Sequence, residues 1–316
     1  METVASAALT LPSWGLLFAV SIASLSGASL ASFVNVLIYR IPLDMSVDRP
    51  PSACPRCAHQ IRWYENIPVF SYLALLGHCR SCRHPISPRY PLIELMGGLW
   101  GLVLGARWVW TTLSQPGLWA HDVTVLYPLI GSWLFELVFV SALIAVAFID
   151  LEHTFIPDEI TLPTTLFGVW GTFTLATWLP QYEPVSVIFG ASLGWGLIVS
   201  IRALAFLYYR REAMGLGDAK LLMMIGAFLG VRSLPVILLG ASVQGVLAAL
   251  LALAYSQLTG ERNELTMTTS ELDERFGEVS LGEGDQLAIP FGPFLALSAL
   301  ELLVLGPAVY DWVGFV

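Results

Sequence analysis

Apolar runs of about 20 residues, the length needed to cross a bilayer as a helix, recur from one end of this chain to the other. Eight are expected as membrane spans, at about 14–38, 91–113, 124–149, 160–179, 185–209, 217–231, 233–256 and 288–312. The sixth is short, and the third and eighth each carry an acidic residue. Charged residues make up only 12% of the 316 positions, and mean hydropathy is +0.72. A soluble domain carries roughly twice that charge. No segment alternates in a way that demands a sheet beyond short metal-knuckle hairpins. The expected fold is therefore an all-α polytopic membrane protein embedded in the lipid bilayer. Glu2 is the only charge before Arg40, so the N-terminus lacks the basic region of a signal peptide and reads as a first span.

The cations fall unevenly about these spans. Segment 40–90 holds Arg40, Arg49, Arg56, Arg62, Arg80, Arg83 and Arg89, and eight spans place Arg210, Arg211, Arg262 and Arg275 on the same side. The opposite loops offer Arg107 and Arg232. The positive-inside rule makes the Arg-rich side cytoplasmic and puts both termini outside. Lys220, the only lysine, lies just inside the sixth span and can snorkel to the cytoplasmic side.

Within that Arg-rich segment lie all four cysteines, as Cys54-x2-Cys57 and Cys79-x2-Cys82. Two knuckles at this spacing present four sulfurs to one metal, which points to a closed structural Zn2+ site. Paired disulfides are the alternative, but they belong to oxidising compartments. Prolines at 42, 50, 51, 55 and 68 keep this region out of long helices. Three units are expected: an anchor over 1–39, a cytoplasmic tetracysteine module over 40–90, and a seven-helix bundle over 91–316.

Net charge is −9, and most of it is local: eight acids face two arginines between residues 259 and 289. That stretch reads as a solvated linker or, alternatively, a docking surface for a basic partner. No nucleic-acid partner is expected. Ionisable residues at membrane depth need a reason. Asp150 ends the third span and Asp218, in Gly215-Leu-Gly217-Asp218, starts the sixth. Two carboxylates brought together share a proton, and the pair can then act as general base and general acid. Asp158, after Pro157, reads as a helix N-cap. Glu136 and Arg202 are intramembrane ions suited to a structural pair. No Gly-x-Gly-x-x-Gly cofactor fingerprint is present.

Six motifs occur in order: Ser32-Phe33-x-Asn35-Val36-x3-Arg40-x-Pro42; the cysteine pairs; Ile86-Ser87-x-Arg89-Tyr90-Pro91-x2-Glu94; Phe148-Ile149-Asp150 with Pro157-Asp158; Gly215-x-Gly217-Asp218-x-Lys220; and Ile289-Pro290-Phe291-Gly292-Pro293-Phe294. Together, over about residues 26–300, they resemble the bacterial prepilin leader peptidase/N-methyltransferases of type IV pilus and type II secretion systems. The resemblance implies a bifunctional inner-membrane enzyme. It would cut the basic leader from prepilins and pseudopilins after a glycine, then methylate the new N-terminus with S-adenosylmethionine. It places the catalytic aspartates on Asp150 and Asp218, and the tetracysteine domain on Cys54, Cys57, Cys79 and Cys82. Asn35, Arg40 and Glu94 would line the methyl-transfer site or serve as structural polar groups. The competing readings are a transporter, a zinc-bearing scaffold, and a peptidase without methyl transfer.

Overall fold

The computed structural model describes residues 13–113, 126–179, 182–209, 215–259, 266–267, 286–287 and 290–313. Each expected span coincides with a helix. In chain order these are α1 (Ser13–Arg40), α3 (Arg89–Leu113), α4 (Leu126–His153), α5 (Asp158–Ala176), α6 (Pro184–Tyr209), α7 (Leu216–Leu229), α8 (Ser233–Thr259) and α9 (Gly292–Val313), with a short α2 (Phe70–Ala74) in the tetracysteine region. The expected count of eight crossings is not matched at the same level. Among the described residues, five helices are long and apolar enough to cross a membrane: α1, α3, α4, α6 and α8. At 14 residues, α7 reaches about 21 Å, short of the ~30 Å hydrocarbon core. The acidic stretch lies outside the described residues except for two strands, β1 (Thr266–Met267) and β2 (Gln286–Leu287), which pair antiparallel.

Lipid tails are as apolar as leucine, so helices in a membrane associate through close packing of small residues. The α1–α3 seam shows this directly. A Cβ on Gly97 would sit 2.3 Å from the Ala31 Cβ, and one on Gly101 would sit 2.3 Å from the Ala23 carbonyl oxygen. Gly97 and Gly101 are four residues apart, so both face α1 on one helical stripe. The antiparallel pair α6 and α7 uses the same device where Gly190 crosses Gly226. The core proper gathers on α4, α7 and α9. Phe228 of α7 stacks between Phe135 and Phe139 of α4, with ring centroids 4.5 and 4.3 Å away.

One end of this bundle collects the functional side chains, and polar bonds mark it. Arg89 at the start of α3 donates to Glu152 in the last turn of α4, 2.6 Å to Oε1. Lys220 in α7 donates to Asp158 at the start of α5, at 2.5 Å. Asp158 is thus the first helical residue of α5 and an ion-pair partner. It is not the expected N-cap, a position that Pro157 takes without a side-chain cap bond. Glu136 also departs from expectation, because it pairs with Arg107 of α3 at 3.0 Å instead of Arg202.

The seam yields a stability prediction. Gly97→Val should cost about 1–3 kcal/mol through overpacking, seen as a lower thermal midpoint in detergent. A Cβ on Gly196 of α6 would meet nothing within 4 Å. Gly196→Ala should therefore be neutral or stabilise by up to about 1 kcal/mol. A midpoint unmoved in Gly97→Val would refute the close-approach account.

Candidate active site and metal centre

The motif Phe148-Ile149-Asp150 ends α4, which places Asp150 in its last turn, 6% exposed. The backbone turns at Thr154, which takes a left-handed φ of 55°, and Ile156 folds back beneath the carboxylate. Gly215 then serves as N-cap of α7, so Asp218 sits in that helix's first turn. The two aspartates are near enough for their charges to interact. Ile156 packs beside both motifs, 3.0 Å from where a Gly217 Cβ would be and 3.1 Å from where a Gly292 Cβ would be.

Gly292 is a site residue that reading the motifs as spans and carboxylates missed. It opens α9, and its backbone N–H donates to the Asp150 carboxylate. A Cβ here would lie 2.4 Å from Asp150 Oδ2, so only glycine permits the approach. Its place after Ile289-Pro290 in a recognised motif was the available signal. The Lys220–Asp158 pair was likewise hidden. It ties the start of α5 to the helix that carries Asp218.

The cysteine module is built from two equivalent turns. In each, the first cysteine N–H bonds a carbonyl five residues on, Cys54 to His59 at 2.9 Å and Cys79 to His84 at 2.8 Å. Each turn closes through a left-handed residue after its second cysteine, Ala58 (φ 56°) and Arg83 (φ 58°). All four cysteines are free thiols, and their sulfurs lie within 4.8 Å of one another. Cys54–Cys82 and Cys57–Cys79 are 3.8 and 3.9 Å apart. Sulfurs 2.3 Å from a tetrahedral ion stand about 3.8 Å apart, so the donor set fits an S4 metal site.

The thiols' ionisation agrees with that fit. The Cys57 backbone N–H, aimed at Cys54, pulls its thiol down to about 7. Cys82 is pushed up to about 11: the His84 N–H favours its thiolate, but burial and the three neighbouring sulfurs oppose it. Four thiolates at this range need a cation between them. Glu65, with only 5% of its side chain exposed, braces the two turns by approaching His59 from one and Arg80 from the other, each at 3.4 Å. The Arg62 backbone N–H holds its carboxyl below the usual carboxylate range.

The remaining motif residues make polar contacts within the protein. Asn35 donates to the Tyr90 carbonyl at 3.1 Å, and Glu94 accepts from the Val69 N–H at 2.7 Å. Buried Arg40 donates to the carbonyls of Ser46, Val47 and Pro50.

Residues 25–108 match the family model of the bacterial peptidase A24 N-terminal domain, and residues 137–250 match that of the type IV leader peptidase family. The first match holds the cysteine module, and the second holds both aspartates. A prepilin leader peptidase/N-methyltransferase of Myxococcus xanthus (strain DK1622) is 37% identical, covering 93% of this chain and 92% of the relative. One from Burkholderia pseudomallei (strain K96243) is 32% identical over 91% and 86%. One from Klebsiella pneumoniae is 38% identical over 69% and 88%. No solved structure matches.

The geometry of the sulfurs gives a second prediction. The purified, reduced protein should hold about one metal ion per four cysteines, and Cys57→Ser should lose most of it, measured by elemental analysis after dialysis. Equal metal in the variant and the wild type would exclude the S4 site.

Proposed function

Because the chain belongs to the type IV leader peptidase family, we propose that it cleaves prepilins and pseudopilins and methylates the new N-terminus. It is a multi-pass membrane protein, here read as one of the bacterial inner membrane with its Arg-rich side cytoplasmic and both termini periplasmic. The unit around α1 and the tetracysteine module serves methyl transfer, and the bundle from α3 onward serves cleavage. The observation that carries the peptidase reading is two aspartates from separate helices meeting at one end of the bundle, one of them bonded by a glycine N–H.

Asp150 is the general base and Asp218 the proton donor in this mechanism. The Gly292 N–H stabilises Asp150 as a carboxylate, a charge-assisted bond of about 1.5–3 kcal/mol. Among the described residues, Asp218 has only its position in the first turn of α7 to favour ionisation, roughly 0.3–1 kcal/mol. The direct bond is the stronger, so the shared proton rests on Asp218. Asp150 takes a proton from water as the oxygen attacks the carbonyl carbon of the leader's last glycine. Asp218 protonates the carbonyl oxygen, and the tetrahedral species collapses as Asp150 returns its proton to the leaving amine and Asp218 takes back a hydroxyl proton from the new carboxyl group. No covalent enzyme intermediate forms.

The released amine has an ordinary pKa of about 7.7–8.0 and must lose a proton before methylation. S-adenosylmethionine supplies the methyl group. Zn2+ fits the four thiolates and, with no open position, is structural.

Co-expression with a candidate prepilin, followed by the mass of its mature N-terminus, tests both activities at once. Asp150→Asn and Asp218→Asn should each abolish cleavage, with the double variant scarcely worse. Gly292→Ala should lower kcat for cleavage by roughly 10- to 100-fold with KM little changed, because it displaces Asp150 without touching substrate contacts. Normal leader removal by either aspartate variant would defeat the assignment.

A further inference from the structure

Between α4 and α5 the chain makes a short return, residues 154–157, that the cleavage chemistry leaves without a role. The Thr154 N–H bonds the Asp150 carbonyl at 2.9 Å, and the left-handed φ at Thr154 reverses the backbone. Phe155 is then turned outward, 39% exposed, and Ile156 is buried. Pro157 ends the return at the N-cap of α5. Its carbonyl accepts from the Thr161 N–H at 3.2 Å and from the buried Thr161 hydroxyl at 3.1 Å.

Ile156 enters the space between two glycines. Gly217 immediately precedes Asp218, and Gly292 donates its N–H to Asp150. A Cβ on Gly217 would lie 3.0 Å from the isoleucine Cβ, and one on Gly292 would lie 3.1 Å from its Cδ1. Opposite ends of one side chain therefore stand against the backbone beside each aspartate. Branching at Cβ leaves isoleucine few rotamers, so the length between those ends is nearly fixed. The return is also tied down beyond Ile156. Asp158, two residues on, meets Lys220, two residues beyond Asp218, at 2.5 Å.

Two carboxylates share a proton only while they are held close, and here each is carried by a different helix. We propose that Ile156 is a positioning residue for cleavage, a spacer that fixes the separation of Asp150 and Asp218, held in place by the Asp158–Lys220 pair. It acts through the two glycine backbones and not on substrate. The proposal rests on the peptidase reading above. A side chain that merely filled the core would lower stability and leave turnover by the folded protein unchanged.

The test is the kinetics of prepilin cleavage by the full-length protein in nanodiscs, below the thermal midpoint of each variant. Ile156→Ala loses both contacts and should lower kcat roughly 10- to 100-fold, with KM within about threefold of wild type. Ile156→Val keeps Cβ and loses Cδ1, the end at Gly292, and should fall about 3- to 10-fold. Phe155→Ala, on the outward side of the same return, should stay within about twofold. Asp158→Asn and Lys220→Met should each cost about two- to fivefold. Their double variant should be no worse than the lower single, because both break one pair. Unchanged kcat in folded Ile156→Ala overturns the proposal, as does a change in KM alone or an equal loss in Phe155→Ala. Should Ile156→Ala not fold, unchanged kcat in Ile156→Val overturns it instead. A loss in Lys220→Met that is absent from Asp158→Asn overturns the part given to the ion pair. A wild type that leaves prepilin uncleaved overturns the peptidase reading itself, a result distinct from any variant's.

Discussion

Hydrocarbon offers a polar group no partner, so each one carried into this bundle has to be met by the protein itself. The architecture follows from how that is done. Glu136 meets Arg107 across α4 and α3, Asn35 meets the Tyr90 carbonyl across α1 and α3, and Asp150 meets the first N–H of α9. Each bond joins two different helices and fixes how they sit against each other. The glycine seams let the backbones come near enough for short polar side chains to reach.

The carboxylate pair and the tetracysteine module are built from different elements of the chain. The carboxylate pair is assembled from α4, α7 and α9, and its partners are one backbone amide and one aliphatic side chain. At the end of α1, buried Arg40 holds the loop that follows it through the Ser46 and Pro50 carbonyls. Arg89 and Glu152 connect the two halves, since one opens α3 at the end of the cysteine module and the other stands two residues past Asp150.

Much of this was legible in the sequence. Helix positions follow from uninterrupted apolar runs, and the two x2 cysteine pairs announce four converging sulfurs. Asp150 and Asp218 stand out because carboxylates in apolar surroundings are expensive. What was not legible were long-range choices between equivalent partners. Arg107 and Arg202 are both plausible mates for Glu136, and only helix packing picks the first. Asp158 follows a proline as N-caps do, yet Lys220 lies opposite it and claims the carboxylate. Gly292 carries no side-chain chemistry to notice, and its importance comes from an N–H and from missing bulk. Of the eight expected spans, five meet the length and apolar composition of a crossing among the described residues, and α7, at 14 residues with Asp218 and Lys220 in its first turns, does not.

The hydrogen bond from Val69 to Glu94 has a mechanical meaning as well. Glu94 lies more than a turn inside α3, so the segment holding Val69 is drawn to the membrane's edge and α2 begins there. Phe70, Leu73 and Leu76 then project outward at three-residue intervals, 63, 62 and 79% exposed, with Trp63 beside them at 82%. Residues of this kind favour the headgroup boundary, where a large apolar body finds depth and a polar edge stays wet. The tetracysteine module therefore carries an exposed apolar edge beside its tether to α3, and a detergent micelle, unlike a flat bilayer, would meet that edge with a curved surface.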